Sequence, residues 1–238
     1  MRCAAAGWLA LLSAGCALQG PAGSDTVAPP PHAWHPVALP GKASTHYTPA
    51  HKDGRAAIAA VSVRSASMWR RQMSVPTGDL GDVSFSWWVP HLMPDASVAD
   101  VEREDASARV LFAFGGDLGR LTARNRMLFD LAEALTGEKP PFATLMYVWD
   151  ASAPVGSVIV NPRSDRIRKI VVDSGPQQLG RWREHRRDLT ADFRRAFGEA
   201  PGTLRSVAMM TDSDNTRSSA QAWYGPVRVH CARSADCE

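Results

Sequence analysis

Residues 83–89 read VSFSWWV, and their odd-numbered members are all apolar. This alternation is the period of a β-strand, in which successive side chains point to opposite faces of the sheet. Trp87 therefore falls on the apolar face and Trp88 on the other. Pro90 ends the run, because proline cannot donate a ladder hydrogen bond. The stretch predicts a strand with one face in a core.

Eight further segments predict strands, either by the same period or by short and nearly continuous apolar runs. Turn residues are plentiful between them, with 17 prolines and 18 glycines in 238 residues. The predicted strands are 58–63, 67–73, 109–114, 144–149, 155–160, 167–172, 204–210 and 222–229.

Two segments have the helical period instead. In the second of them, Asp188 is a candidate cap, Gly198 follows the end, and the apolar residues of 189–197 form a stripe. In the first, Gly137 is placed to end the helix, and five residues fall on one side: Leu121, Asn125, Leu128, Ala132 and Leu135.

Together these patterns predict a mainly β protein, an antiparallel and jelly-roll-like β-sandwich of about nine strands with two accessory helices. A parallel α/β sheet is disfavoured because most successive strands have no helix between them. The apolar fraction of 45% is sufficient for a full core.

The N-terminus has the pattern of a secretory signal, with a positive start, an apolar run over 4–12 and small residues before Cys16. The run is too short to span a bilayer core of about 30 Å. Residues 11–16, LLSAGC, resemble a bacterial lipobox, although Ser13 stands where leucine is favoured. The resemblance implies that Cys16 is lipidated, and Ala17 after it implies outer-membrane sorting. Simple secretion and an uncleaved cytosolic start are the alternatives.

This interpretation divides the chain into a signal peptide (1–15), a lipidated N-terminus with a Pro-rich tether (16–33), a β-sandwich domain (34–230) and a C-terminal tail (231–238). The expected location is the cell envelope, where acyl chains hold the protein on a membrane facing the periplasm. The membrane is therefore the first expected partner.

Two of the four cysteines remain after Cys3 is removed and Cys16 is modified. In an oxidising periplasm Cys231 and Cys237 either form a small disulfide or stay free thiols on the tail. Their spacing is not that of a CxxC pair, which argues against a redox or zinc motif.

The charge is nearly balanced, with 27 basic and 24 acidic residues and a formal net charge of +3. A nucleic-acid partner is not expected, since such proteins carry a stronger basic excess on one face. Six arginines cluster on and before the second helix, either as a solvated face or as a patch for anionic lipid or polysaccharide: Arg181, Arg183, Arg186, Arg187, Arg194 and Arg195.

The first candidate site is the run DSDN, in which Asp212, Asp214 and Asn215 follow a predicted strand. Carboxylate and amide oxygens of this kind suit calcium. The run is not an EF-hand loop, because Arg217 takes the glycine position and Trp223 the position of the bidentate glutamate. The same residues are also typical of a turn or buried polar network, which is the favoured interpretation, or of contacts to a polar ligand.

Asp105 and Arg109 are the second candidate; they are four positions apart and lead into a predicted strand. A buried ion pair that organises a corner is one interpretation, and ligand binding is the other. For ligand binding, these two residues must converge with Asp212, Asp214 and Asn215 on one surface. No catalytic residue is assigned.

Aromatic residues allow two interpretations as well. Large rings fill sandwich cores, but a ring on a concave outer face stacks on a sugar. The candidates are Trp87, Trp88, Trp149, Trp182, Trp223 and Tyr224.

Several stretches are distinctive: FSWWV (85–89), EDASARV (104–110), LMYVW (145–149), VVDSG (171–175), LGRW (179–182), FGEAP (197–201) and AMMTDSDNT (208–216). Through them the chain from 34 to 229 resembles a bacterial family known as domain of unknown function 3047. Where such families often carry glycine after the last stretch, this chain has Arg217. The pattern is similar to galactose-binding-type jelly rolls, which include many carbohydrate-binding modules, but the family implies no activity.

The function hypothesis is a non-catalytic envelope module that binds a glycan or another polar ligand. The sequence contains no GxSxG, HExxH, GxxxxGK or GxGxxG motif, and no spacing nominates the two carboxylates of a glycosidase. The alternatives are a structural or assembly lipoprotein that contacts other envelope proteins, and a hydrolase of unrecognised type.

Overall fold

The computed structural model of this protein describes residues 33–232 and 237. Within these residues the chain forms thirteen strands and two α-helices. In chain order they are β1 (Trp34–Ala38), β2 (His46–Lys52), β3 (Arg55–Val63), β4 (Ala66–Val75), β5 (Leu80–Trp88), β6 (Ala106–Phe114), α1 (Ala123–Thr136), β7 (Ala143–Asp150), β8 (Val158–Val160), β9 (Ile167–Ser174), β10 (Trp182–Asp188), α2 (Leu189–Phe197), β11 (Leu204–Asp212), β12 (Ser219–Tyr224) and β13 (Arg228–Cys231).

The strands form two sheets. The larger has seven strands in the order β1-β4-β11-β6-β7-β9-β8, and the smaller has the order β10-β5-β12-β3-β2 with β13 beside β5. Every pairing is antiparallel except that of β7 with β9, which is parallel. The predicted mainly β sandwich is therefore confirmed, with one parallel pair that the sequence patterns did not indicate.

Alternating burial is seen where the sequence predicts it. In β5, Val83 and Trp87 are fully buried and Phe85 is 2% exposed, and all three belong to the main core between the sheets. Side chains of opposite parity on the large sheet, among them Leu111 and Val148, form a second cluster on its other face. The large sheet is consequently buried on both faces near its centre, which explains why its strands read as continuous apolar runs.

The structure has four more strands than the sequence predicts. Strands β1 and β2 lie in a segment rich in proline and histidine, and β10 reads WREHRRD, so none of the three has an apolar face to reveal its period. The predicted segment 222–229 is two strands, because the chain is irregular between Tyr224 and Arg228.

The helix ends follow the predicted caps. The Asp188 side chain accepts the Ala191 N–H (2.8 Å) at the start of α2, and Gly198 ends that helix with φ 72°. Gly137 ends α1 with φ 72°. Glycine suits both positions because it enters the left-handed region at little cost.

The two helices differ in packing. Helix α2 buries Leu189 and Phe193 in the core, whereas α1 leaves Met127, Leu131 and Leu135 more than half exposed. The side of α1 that the sequence marked is therefore only partly covered, since Asn125 is buried but Leu135 is not. Among the described residues, neither helix has the length and apolarity needed to cross a membrane.

The C-terminal strand is tied to the core by a disulfide between Cys231 and Cys237, whose Cα atoms are 5.3 Å apart. Cys231 is the last residue of β13, and Cys237 is buried against the main core. The predicted signal peptide, the lipidation of Cys16 and most of the tether lie outside the described residues.

Candidate functional site

The predicted residues around β6 and β11 converge at one end of the large sheet, because the two strands are hydrogen-bonded neighbours. The ladder places Met210 opposite Arg109 and Asp212 opposite Ala106. Arg109 donates from Nε to Asp212 Oδ1 (3.0 Å) and from Nη2 to Asp212 Oδ2 (2.8 Å). Arg109 and Asp212 are only 2% and 3% exposed. Their bidentate ion pair therefore lies inside the protein and not on a ligand-binding surface.

Asp105 organises the loop that follows β11. Its Oδ1 accepts the Asn215 N–H (3.2 Å), and its Oδ2 accepts both the N–H (2.7 Å) and the hydroxyl (2.6 Å) of Thr216. The Asn215 Nδ2 atom donates to the Val101 carbonyl (3.1 Å). With Asp105 only 1% exposed, these bonds give it the role of a corner-organising side chain.

Two further charged residues, Glu104 and Lys169, lie at this end of the sheet, and the sequence did not nominate them. We refer to Glu104, Asp105, Arg109, Lys169 and Asp212 as the end cluster. The Lys169 Nζ atom lies 2.6 Å from Glu104 Oε1 and donates to the Val98 carbonyl (2.6 Å). Glu104 is 7% exposed and Lys169 is fully buried. The signal for Lys169 was a lysine within the apolar run 167–172, which predicts a buried cation that needs a partner.

Burial sets the protonation behaviour of the end cluster. It raises the pKa of Asp212 to about 7, against the attraction of Arg109, and the nearby charge of Asp105 adds to the rise. Burial likewise lowers the pKa of Lys169 to about 8, helped by repulsion from Arg109 and opposed by Glu104. Since each charge is costly to bury alone, the cluster is stable only with its partners in place.

The oxygens predicted for calcium do come together. Ligand atoms of Asp105, Asp212 and Asp214 lie within 4.8 Å of one another. The oxygens of Asp105 and Asp212 already accept N–H and O–H donors, and Asp214 forms an ion pair with Lys42. Calcium takes about six to eight oxygen ligands, so these carboxylates would have to exchange their present donors for the ion. The geometry favours the hydrogen-bonded network over the calcium hypothesis.

Three of the six aromatic candidates meet on the outer face of the small sheet. Trp88 in β5 is opposite Trp182 in β10 and opposite Trp223 in β12. Directly opposed residues point to the same face, so these side chains form a row across three neighbouring strands. All three are half-buried. We refer to Trp182, Trp88 and Trp223 as the tryptophan row.

The other three aromatics lie in the core. Trp87, Trp149 and Tyr224 are at most 1% exposed. The Trp87 Nε1 donates to an oxygen of Asp173 (2.8 Å), and the Trp149 Nε1 to the Gly175 carbonyl (3.1 Å). Their polar atoms are satisfied internally, as buried indoles require.

The tip of the β2–β3 hairpin covers part of the tryptophan row. The Lys52 Nζ lies 3.7 Å from the Trp88 ring centroid and 5.0 Å from that of Trp223. The Arg55 guanidinium lies 5.3 Å from the Trp182 ring, whose Nε1 donates to the Lys52 carbonyl (3.2 Å). The row is therefore a partly walled surface with cations above its rings.

One atom of the row lacks a hydrogen bond. Among the residues that the structure describes, Trp88 Nε1 is buried and finds no acceptor. The Trp88 ring meets Trp223 edge to face, with centroids 5.1 Å apart and planes at 90°. An unsatisfied buried donor is uncommon, and here it lies beside an aromatic surface.

The arginine cluster is not a single patch. Because β10 alternates, Arg183 and Arg187 point inward while Arg186 points outward. Arg183 Nε donates to Asp173 Oδ1 (2.9 Å), and Arg187 donates to both oxygens of Asp192 (2.8 Å each). The expectation of one shared face is therefore wrong for Arg183 and Arg187, because alternate residues of a strand point to opposite faces of the sheet.

Asp173 is a further internal site that the sequence did not reveal. His185 Nε2 lies 2.8 Å from Asp173 Oδ2, and the His185 ring stacks on Phe85 with centroids 5.0 Å apart. Burial alone would raise the pKa of Asp173. Hydrogen bonds from His185, Trp87 and Arg183 instead hold this pKa below its ordinary value. This node joins the edge strand of the small sheet to the large sheet.

These features define a mainly antiparallel two-sheet β-sandwich with a buried charged cluster at one end and an aromatic outer face. The chain belongs to the family described as protein of unknown function, DUF3047, whose profile matches residues 32–228. No curated protein matches the sequence. Among solved structures, the xyloglucanase domain of NopAA, a type three effector from Sinorhizobium fredii in complex with cellobiose, is 8% identical with a TM-score of 0.42, over 83% of this chain and 92% of that chain.

Proposed function

We propose that this domain is a non-catalytic binding module whose ligand is a glycan, held on the tryptophan row. The observation that supports this most directly is the register of β10, β5 and β12, which aligns three indole rings on one outer face. A core does not require three adjacent tryptophans on a face turned away from it. Sugar rings present C–H faces that stack on aromatic rings, and aromatic lining with a few placed polar groups is typical of binding sites.

The dimensions of the row suit a chain of sugars better than a single ring. Neighbouring strands lie about 4.8 Å apart, so the outer two tryptophans are separated by roughly 10 Å across the sheet. A ligand that lies across the strands would contact the rings one after another.

Polar groups around the row offer hydrogen bonds to sugar hydroxyls. Lys52 and Arg55 stand above the rings, and Arg55 pairs with Glu184 on β10. The Trp88 indole N–H would gain an acceptor from a bound hydroxyl if Lys52 moved aside. Donors and acceptors are thus both present beside the aromatic surface.

The end cluster has a supporting role in this proposal. Asp105, Arg109 and Asp212 are buried and bonded to one another or to the adjoining loop, and so hold the end of the sandwich. Asp214 and Asn215 are only partly buried and remain candidate ligand contacts.

The test is binding to a glycan array, followed by titration calorimetry with the best ligand. Replacing Trp182→Ala or Trp223→Ala should weaken binding by roughly threefold to tenfold each, in line with an aromatic contact of about 1 kcal/mol. Trp34→Ala is the matched control, since it removes a half-buried tryptophan from another sheet and should leave glycan affinity unchanged.

Two results would count against the proposal. One is a broad array with no ligand. The other is a ligand whose affinity falls equally in all three tryptophan variants. A ligand lost only on Asp214→Asn or Asn215→Ala would move the site to the end loop.

A second candidate function is assembly with another envelope protein through α1. Its residues Met127, Leu131 and Leu135 recur every four positions, which places them on one side of the helix, and each is at least 55% exposed. A photo-crosslinker at position 131 should capture one reproducible protein in cells, whereas the same group at exposed Asp130 should not.

We further propose that the domain is anchored in the envelope through a lipid on Cys16. Fractionation of cells should find the chain with membranes, and a Cys16→Ala variant should leave that fraction. An unchanged distribution of the variant would remove the anchor from the proposal.

A further inference from the structure

The tip of the β2–β3 hairpin, residues 50–57, places an ammonium group in a corner of the tryptophan row. The Trp88 and Trp223 rings stand at 90° to each other, and the Lys52 Nζ lies over both of them, 3.7 Å and 5.0 Å from their centroids. The faces of indole rings attract cations, and tryptophan does so most strongly of the aromatic residues. The corner is therefore a cation site, which the chain fills with its own lysine.

The Arg55 guanidinium covers the third indole of the row in a similar way. It lies 5.3 Å from the Trp182 ring and forms an ion pair with Glu184, which points to the same face two residues further along β10. Both side chains of this pair are more than half exposed. The tip thus meets three aromatic faces and one carboxylate with two positive groups, so that the two surfaces are complementary in charge.

The tip extends beyond the ladder that holds the rest of the small sheet. Strand β3 pairs with β12 only as far as Ile58, opposite Tyr224, and beyond Tyr224 the chain continues along β5. Within the described part of the chain, residues 50–57 have ladder partners only inside the hairpin, around a turn in which Asp53 and Gly54 have positive φ. Among the described residues, the other side of the tip faces a cavity of about 730 Å³. The tip is therefore an arm that can rotate about its base near Ile58.

The contacts between the tip and the row are of modest strength. One is a hydrogen bond of 3.2 Å from Trp182 Nε1 to the Lys52 carbonyl. Another is the exposed ion pair of Arg55 with Glu184, and exposed pairs contribute little to stability. The closed arrangement also contains the buried Trp88 Nε1, which has no acceptor among the described residues, and an unsatisfied buried donor costs free energy. A ligand that offers the same charges together with an acceptor can therefore displace the tip.

We infer that the tip is a lid whose two cations occupy the positions of ligand ammonium groups, and that the glycan is built of amino sugars. The inference rests on the proposed function, because it names the class of glycan that the tryptophan row binds. A neutral glycan would uncover the cation site and leave Glu184 without its cation. An amino sugar replaces Lys52 in the corner and Arg55 at Glu184, while its hydroxyl groups offer an acceptor to Trp88 Nε1.

The experiment compares two tetrasaccharides that have the same backbone. One is the tetramer of glucosamine, which carries free amino groups, and the other is the uncharged tetramer of N-acetylglucosamine. Calorimetry at pH 5.5, where the sugar amines are protonated, measures both affinities. We expect the glucosamine tetramer to bind about tenfold more tightly or better, since it alone restores the cation–π contacts. Equal affinities, or tighter binding of the acetylated tetramer, would overturn the inference.

Removing the internal cation tests the lid. Lys52→Met keeps an unbranched side chain on the hairpin but takes away the ammonium group that competes with the ligand. The ratio of the two affinities, glucosamine tetramer over acetylated tetramer, should rise by about threefold or more in this variant. Lys139→Met is the matched control, because it makes the same charge change at an exposed residue after α1 and should leave the ratio unchanged. An equal rise in both variants would reduce the effect to net charge and contradict the lid.

Fluorine NMR of protein labelled with 5-fluorotryptophan tests the location and separates this inference from the proposed function. The glucosamine tetramer should shift the signals of Trp88, Trp182 and Trp223, while the signal of Trp149 in the core should stay in place. If a neutral glycan shifts the same three signals and the glucosamine tetramer does not, the inference fails and the proposed function stands. If no glycan shifts them, both fail.

Discussion

Arg109 and Asp212 form two parallel hydrogen bonds, of 3.0 and 2.8 Å, between the neighbouring strands β6 and β11. The residues are 103 positions apart in the chain, and both are buried. A bidentate pair of this kind fixes the ends of two central strands relative to each other. It also leaves a buried charge behind if either member is removed.

We therefore expect Arg109→Met to lower the free energy of unfolding by about 3–5 kcal/mol, since Asp212 would keep its burial and lose its cation. Chemical denaturation measures the change. The double variant Arg109→Met/Asp212→Asn should lose less stability than the sum of the two single variants. Each single variant leaves one member of the pair buried without its partner, whereas the double variant removes both charges.

The control is Arg186→Met, which removes a bond of 2.8 Å to Asp82 from an arginine whose side chain is 70% exposed. Surface pairs contribute at most about 1 kcal/mol, so this variant should remain close to the parent. Similar losses in the two variants would contradict the role given to burial.

Calcium should leave the melting temperature unchanged. An ion that binds only the folded state must raise its stability. We expect no binding, because the oxygens of Asp105 and Asp212 already accept hydrogen bonds from other donors. Thermal unfolding with excess calcium and with chelator measures this. A rise with calcium that disappears in Asp214→Asn would instead establish a metal site at the end cluster.

Asp173→Asn should lower stability by about 2 kcal/mol at neutral pH, because hydrogen bonds to a charged acceptor become bonds to a neutral one. The pKa of Asp173 in the folded protein lies below its ordinary value, so its contribution is present above about pH 4 and is lost as the pH falls through the folded pKa.

The difference between parent and Asp173→Asn should consequently shrink on acidification below about pH 4. Denaturation curves from pH 2.5 to 7 measure it, and Asp130→Asn on the exposed side of α1 serves as the control. A difference that is constant over this range would show that Asp173 does not titrate as described.

Gly202 should tolerate no larger side chain. A Cβ there would lie 2.0 Å from the Gly115 carbonyl oxygen, and the two loops are held together by the Gly115 N–H bond to Thr203 O (2.8 Å). Gly202→Ala should therefore cost about 2–4 kcal/mol. Gly78→Ala, where no atom lies within 4 Å of the added Cβ, should change stability by no more than about 0.5 kcal/mol.

The disulfide between Cys231 and Cys237 should contribute about 2 kcal/mol, because it closes a short loop with a sequence separation of 6. Reduction should lower the melting temperature of the parent and not that of a Cys231→Ser/Cys237→Ser variant. Alkylation should label two more thiols after reduction than before it, and equal labelling would mean that the bond is absent in solution.

Local patterns account for what the sequence predicts well. The alternation in residues 83–89 places Trp87 in the core and Trp88 outside it, and Asp188 and Gly198 bound α2 as expected. These features depend on side chains a few positions apart, which the chain displays directly. The same patterns do not predict strand β10, because its inward face is not apolar. It carries Arg183, His185 and Arg187, which are paired with acidic residues elsewhere in the chain.

By itself, then, the sequence determined the two-sheet β class, most strand and helix positions, and the family. Only the tertiary structure decided which distant residues are neighbours: that Trp182, Trp88 and Trp223 form one row, that Arg109 pairs with Asp212, and that a cavity opens beyond Tyr224. The physical reason is strand register. It depends on hydrogen bonds between segments far apart in the chain, and a shift of one residue would turn every one of these side chains to the opposite face.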